Sequence, residues 1–151
     1  MDIMKLVVAF CLAVTLASPA ALAVDTVVSK DAPDLTAVRA KIKAKDFKSA
    51  LVDLTGMIDK GVQHADVYNL LGFSLRKTGD YDKALTFYKK ALDFDADHKG
   101  AHEYLGELYV ETGQLPKARV HLAILERLCP QGCEEREDLT KAVAAATPKT
   151  N

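Results

Sequence analysis

The chain has 151 residues, of which 49% are hydrophobic and 27% charged, and its formal net charge is −1. That length and balance suit one hydrophobic core in one soluble domain and exclude a disordered or fibrous chain. A charge so near zero, with no long Lys/Arg run, gives no general attraction for nucleic acid or anionic lipid and sets nucleic acid aside as a partner.

Lys5, the apolar stretch Leu6 to Leu16, the Ser18-Pro19 break and the small-x-small triplet Ala21-Leu22-Ala23 form the pattern of a secretory signal peptide over residues 1–23. Its apolar core is short against the ~20 residues needed to span a bilayer, and Pro19 interrupts any extension. Cleavage after Ala23 and export are therefore expected. Cys11 would leave with this segment, and Val8-Ala9-Phe10 before it lack the small residue that a lipidated cysteine requires there. Residues 24–33 show no sustained period and read as a flexible leader, with Pro33 or Asp34 opening the first helix.

Within an expected domain of residues 34–146 the chain repeats itself at an interval of 34 as far as Pro130. Leu71-Gly72 falls on Leu105-Gly106, Gly79 on Gly113, and Ala50, Ala84 and Ala118 on one another. Phe47, Tyr81 and Leu115 coincide, as do Leu54, Tyr88 and Leu122. Phe47, Ala50, Leu51, Leu54, Met57 and Ile58 recur at three- and four-residue steps, one face of a helix, and the set from Tyr81 to Leu92 does the same. Gly79-Asp80 and Gly113-Gln114 mark helix junctions, Asp46 and Asp80 are candidate N-caps, and Pro116 suits a first helical turn. Gly72 and Gly106 fall mid-helix, where glycine costs about 1 kcal/mol relative to alanine. Close approach of a second helix, at Ala84 or Ala118, is the expected compensation.

The middle copy reads Tyr68-x-x-Leu71-Gly72-x-x-Leu75, then Ala84-x-x-x-Tyr88 and Ala91; the third reads His102-x-x-Leu105-Gly106-x-x-Tyr109, then Ala118-x-x-x-Leu122 and Pro130. In these residues the chain resembles the tetratricopeptide repeat family. The first copy is degenerate: Val38 stands at the glycine position and Lys45 at the helix-ending glycine, as befits a terminal unit whose outer face meets water. The resemblance implies an all-α fold, a right-handed superhelical stack of about three helix-turn-helix repeats. Glu134 to Ala146, rich in helix formers and with acids in its first turn, is expected to close the array as a capping helix presenting Leu139 and Val143 inward. Residues 147–151 are expected to fray.

Cys129 and Cys133 are an even pair, which favours a disulfide in an oxidising compartment. A free thiol pair, or thiol-redox or metal work, are the alternatives. Three intervening residues in a helical setting depart from a redox Cys-x-x-Cys site, and no adjacent Cys or His completes a metal site. His64 and His98 occupy equivalent turn positions; His98 and His102 straddle a helix start, and His121 edges the core. Asp93, Asp95 and Asp97 alternate but lack the remaining spacing of a Ca²⁺ loop. With no catalytic triad order, phosphate loop or zinc-protease motif, no enzyme, cofactor or small-molecule substrate is expected.

In the family that the chain resembles, the first helices of successive repeats line a concave groove for an extended peptide or a partner helix. Carried over, the groove comprises Arg39, Lys43, Asn69, Phe73, Arg76, Lys77, Glu103, Glu107, Val110 and Glu111. A basic start followed by an acidic end makes a bipolar surface able to orient a partner. The family's carboxylate clamp for chaperone C-termini is not reproduced, because Arg39 and Lys43 lack the accompanying asparagine and acids fill the third repeat. Resemblance to small exported bacterial repeat proteins implies a periplasmic adaptor or assembly factor of a Gram-negative envelope, with self-association through repeat ends as a further expectation.

Overall fold

A computed structural model describes residues 32–147, so the expected signal peptide, most of the leader and residues 148–151 lie outside the described residues. Seven helices follow in order: α1 Thr36–Lys43, α2 Phe47–Asp59, α3 Ala65–Lys77, α4 Tyr81–Phe94, α5 Lys99–Glu111, α6 Leu115–Leu128 and α7 Glu134–Ala146. There is no strand among the described residues. Each helix packs on the next, α3 touches α5, and α7 packs on both α5 and α6. The helix α7 thus stands where the first helix of a fourth unit would stand. None of these helices is long and apolar enough to cross a membrane.

The first helix starts at Thr36, later than Pro33 or Asp34: its N-cap is Leu35, and Asp34, one residue further out, accepts the Thr36 N–H through Oδ1 at 2.9 Å. The caps read from sequence are in place: Asp46 accepts from Ser49 N and Asp80 from Lys83 N. His64 and His98 do the same work for α3 and α5, their Nδ1 atoms accepting from Asp66 N and Ala101 N. The junction before α2 carries the degenerate copy's mark. Lys45 has φ 60°, the left-handed region that Gly79 and Gly113 occupy at the equivalent turns.

The second helices bury Ala50, Leu54, Ala84, Tyr88, Ala118 and Leu125, none of them exposed to solvent. Gly72 is where α3 meets α4, and its neighbour is Tyr88, one turn beyond the expected Ala84. A Cβ on Gly72 would stand 2.7 Å from Tyr88 Cδ1. The equivalent Gly106 faces a different helix from the one expected: a Cβ placed on it would stand 2.5 Å from Leu139 Cδ2 of α7, and Ala118 is not among the nearest contacts. Leu139 and Val143 are buried, as the spacing of the capping helix requires. Cys129 and Cys133 are disulfide-bonded, tying the end of α6 to the residue before α7.

Candidate functional site

The 34-residue period carries over into space along α1, α3, α5 and α7. Asp66, Gly100 and Glu134 are successive equivalents, as are Leu70, Tyr104 and Asp138, and Asn69 is the equivalent of Glu103. All eight line one concave cavity of about 340 Å³, with Arg39 at its α1 side. A second cleft, of about 570 Å³, adjoins it through Asp66, His98, Gly100 and Glu135 and runs out past Phe94 and Lys99. Gly100 leaves room for Asn69, whose Nδ2 would stand 3.1 Å from a Cβ placed there.

Several of the sequence-derived groove residues fall here, and others do not. Arg39, Asn69 and Glu103 line the cavity. Lys43 and Lys77 are exposed on the basic side. Phe73 is half-buried rather than presented to a ligand: its ring meets Phe47 at 6.1 Å and Tyr104 at 4.8 Å, and Lys77 Nζ covers it at 5.2 Å. Arg76 is 3% exposed; it contacts Glu107 and lies 2.8 Å from Glu111, with its guanidinium over Phe73 and Tyr104 at 5.6 and 5.7 Å. These three charges hold α3 to α5, with the Arg76 Nε–H left without a partner among the described residues. Val110 packs at the edge of the core. The surface is therefore less symmetrically bipolar than the sequence order implies, since Arg76 leaves the basic side and its two partners leave the acidic one.

What remains is an acidic cavity. Asp66 is held ionised, its pKa lowered first by the hydrogen bond from His98 and further by the nearby Arg39 guanidinium. Because His98 Nδ1 accepts from Ala101 N, the ring proton is on Nε2, which donates to Asp66 Oδ1 at 3.1 Å. Glu103 behaves in the opposite way: burial, then repulsion from Glu107, Asp138 and Glu135, pushes its pKa up to about 8. The same burial raises the Tyr104 phenol to about 12. Asp66, His98, Glu134, Glu135 and Asp138 were not among the groove residues read from sequence. Continuing the 34-residue register through the last helix would have brought out Glu134 and Asp138.

Of the remaining histidines, His102 donates through Nε2 to Ala96 O at 2.9 Å, leaving its Nδ1 to accept from His121 Nδ1 at 2.9 Å. His98 and His102 thus have separate partners. No cluster of three or more His, Cys, Asp or Glu side chains suited to a metal occurs among the described residues.

The model of the tetratricopeptide repeat family matches residues 75–128. The heat shock protein STI1 of Saccharomyces cerevisiae is 34% identical over 82 residues, 54% of this chain and 14% of its own length. The uncharacterized protein ycf37 of Guillardia theta is 35% identical over 63 residues, 41% of this chain and 35% of its own. The chain spans about a third or less of the length of these curated relatives. Among solved structures, the translocator chaperone SycD of Yersinia enterocolitica type III secretion superposes with a TM-score of 0.64 at 16% identity, over 73% of this chain and 78% of that one. SycD in complex with a peptide of the translocator YopD gives 0.61 at 16% identity, over 73% and 83%. At such identity these two establish a shared fold.

Proposed function

Since the chain is a tetratricopeptide repeat protein, we infer that it is a non-enzymatic module that binds one peptide or helix along its concave face. The observation that carries this reading is the built cavity where α1, α3, α5 and α7 converge, continuous with a second cleft. A groove of about three repeats suits one segment of a partner rather than a broad docking surface. That SycD has been captured with a peptide of YopD supports the reading by analogy of fold. The signal-like segment 1–23 supports export, and a disulfide fits an oxidising compartment such as the periplasm, where the module would serve as an adaptor or assembly factor.

A photoreactive amino acid placed at Tyr104, in the cavity, and separately at Val52 on α2, which is 72% exposed, tests the groove in cells. Discrete adducts from position 104 and none from position 52 are expected. Adducts from position 52 alone would place the partner on the outer helices and reject the reading. Export is checked by mass spectrometry of the mature protein, which should begin at Val24; retention of Met1 would refute cleavage.

A further inference from the structure

Two buried polar side chains line the concave cavity, and one of them carries an acceptor without a partner. Asn69 is 4% exposed, and its Oδ1 meets no hydrogen-bond donor among the described residues. Glu103, its equivalent one repeat on, is 7% exposed and lines the same cavity. The charges around it are chiefly like charges: Glu107 on its own helix, Asp138 and Glu135 on α7. Arg76, the opposing charge, acts on it least and is already paired with Glu107 and Glu111. Buried acceptors left unpaired weaken the fold until a donor reaches them.

We propose that this cavity seats one lysine or arginine side chain of the bound peptide, its cationic head donating to the Glu103 carboxylate beside Asn69, with Asp66, Glu134, Glu135 and Asp138 around it. The assignment rests on the concave face being the peptide-binding face.

Ammonium and guanidinium groups carry donors and no acceptors, the complement of this lining. A carboxylate or phosphate would instead meet five acids. A divalent ion is disfavoured because the acids come from three helices without gathering into a metal-binding group. Arg39 is the resident cation at the rim, but it is 58% exposed and 3.7 Å from Asp66 Oδ1, a solvated pair that a better-buried cation displaces. At about 340 Å³ the cavity has the size of a small-ligand site and admits one side chain. The peptide backbone would then run along the adjoining cleft.

The test uses the full mature chain, isotopically labelled, with N-acetyl-lysine amide, N-acetyl-arginine amide and the uncharged N-acetyl-norleucine amide as probes. The two cationic probes should shift the Asn69 side-chain amide and the Gly100 backbone amide saturably, with binding at least about tenfold tighter than norleucine. Glu103→Gln and, on the more exposed α7, Asp138→Asn should each weaken that binding while the helical spectrum stays unchanged. Equal shifts from all three probes, or no shift from the cationic ones, would overturn the assignment, as would binding of Ca²⁺ or Mn²⁺ at the same amides in preference to lysine. Peptides selected on the wild-type chain from a random library separate this idea from the groove itself. If they shift Tyr104 and Gly100 without requiring Lys or Arg, the cation seat fails while the groove stands; if they shift only α2, α4 and α6, both fail.

Discussion

Leu139 lies so close to Gly106 that a Cβ on the glycine would stand 2.5 Å from Leu139 Cδ2, whereas one repeat earlier Tyr88 takes the same liberty with Gly72 at 2.7 Å. Equivalent glycines are thus covered by different elements, a second helix in one unit and the terminal helix in the next. Tyr88 and Leu139 are both fully buried, so neither can move aside into solvent.

Gly72→Ala and Gly106→Ala should therefore each destabilise the protein by about 1–3 kcal/mol, despite the ~1 kcal/mol that alanine gains in a helix. Gly106→Ala should cost less, because Leu139 can change rotamer and the Tyr88 ring cannot shrink. Gly56 is the control: it lies in α2 with nothing within 4 Å of a Cβ. Gly56→Ala should stabilise by about 0.5–1 kcal/mol. Urea unfolding midpoints of the three variants decide the matter, and a destabilised Gly56→Ala would count against this account of the packing.

Lys45 holds φ 60° at the turn where the other two repeats use glycine. Lys45→Gly removes a strain of about 1–2 kcal/mol and adds some unfolded-chain entropy. A net gain of roughly 0.5–1 kcal/mol is expected, read as a raised melting temperature. A lowered one would mean that the lysine side chain itself supports the turn.

Among the described residues, Arg76 is the only cation that opposes both Glu107 and Glu111 at contact distance. Arg76→Leu should cost about 1–3 kcal/mol, less than for a fully buried pair because the two carboxylates left behind are partly solvated. Adding Glu107→Gln and Glu111→Gln to the same chain should recover most of it. Failure of the triple variant to recover would show that the guanidinium acts through its contacts with Phe73 and Tyr104 rather than through charge.

Stability should depend on pH through Glu103 and His121, with opposite signs. Burial, and then His102, lowers the His121 pKa from 6.5 to about 4. Within that window the unfolded chain binds a proton that the folded chain does not, so stability is complete above 6.5 and is lost as pH falls towards 4. Glu103 rises from 4.5 to about 8, so the folded chain holds the extra proton and stability is lost as pH rises across that window. Around Glu103 stand Arg76 from α3, Glu107 from its own helix, and Glu135 and Asp138 from α7. The two slopes oppose each other between 4.5 and 6.5, which predicts a plateau there and a decline from 6.5 to 8. Denaturant titrations across that range should show it. Glu103→Gln should remove the alkaline decline and leave the acid one, and His121→Gln should do the reverse.

Much of this was legible before any coordinates, and for physical reasons. Helical periodicity fixed which faces are buried, so Ala50, Ala84 and Ala118, Leu139 and Val143 are all where spacing puts them. The caps Asp46 and Asp80 follow from junction chemistry alone. The groove was legible as a row of positions and not as a set of available charges. Nothing in the order of residues reveals that Arg76 reaches Glu111, 35 positions away, and is thereby buried. Nor does sequence show that Phe73 is wedged between Phe47 and Tyr104, since that depends on how three helices cross. The acids of α7 were hidden for another reason: a capping helix reads as an end, and here its first turns also form a wall.

That wall has a consequence for how the protein can diverge. On α7, Leu139 and Val143 face the core while Glu135 and Asp138 face the cavity, two sets of positions on one helix with no shared member. The inner set is constrained by Gly106, but the acidic set is free to vary without disturbing it. Exchanging Glu135 and Asp138 for lysine would change the kind of partner the groove attracts while the last repeat stays closed. Ligand preference and foldedness can therefore be altered independently within these 13 residues.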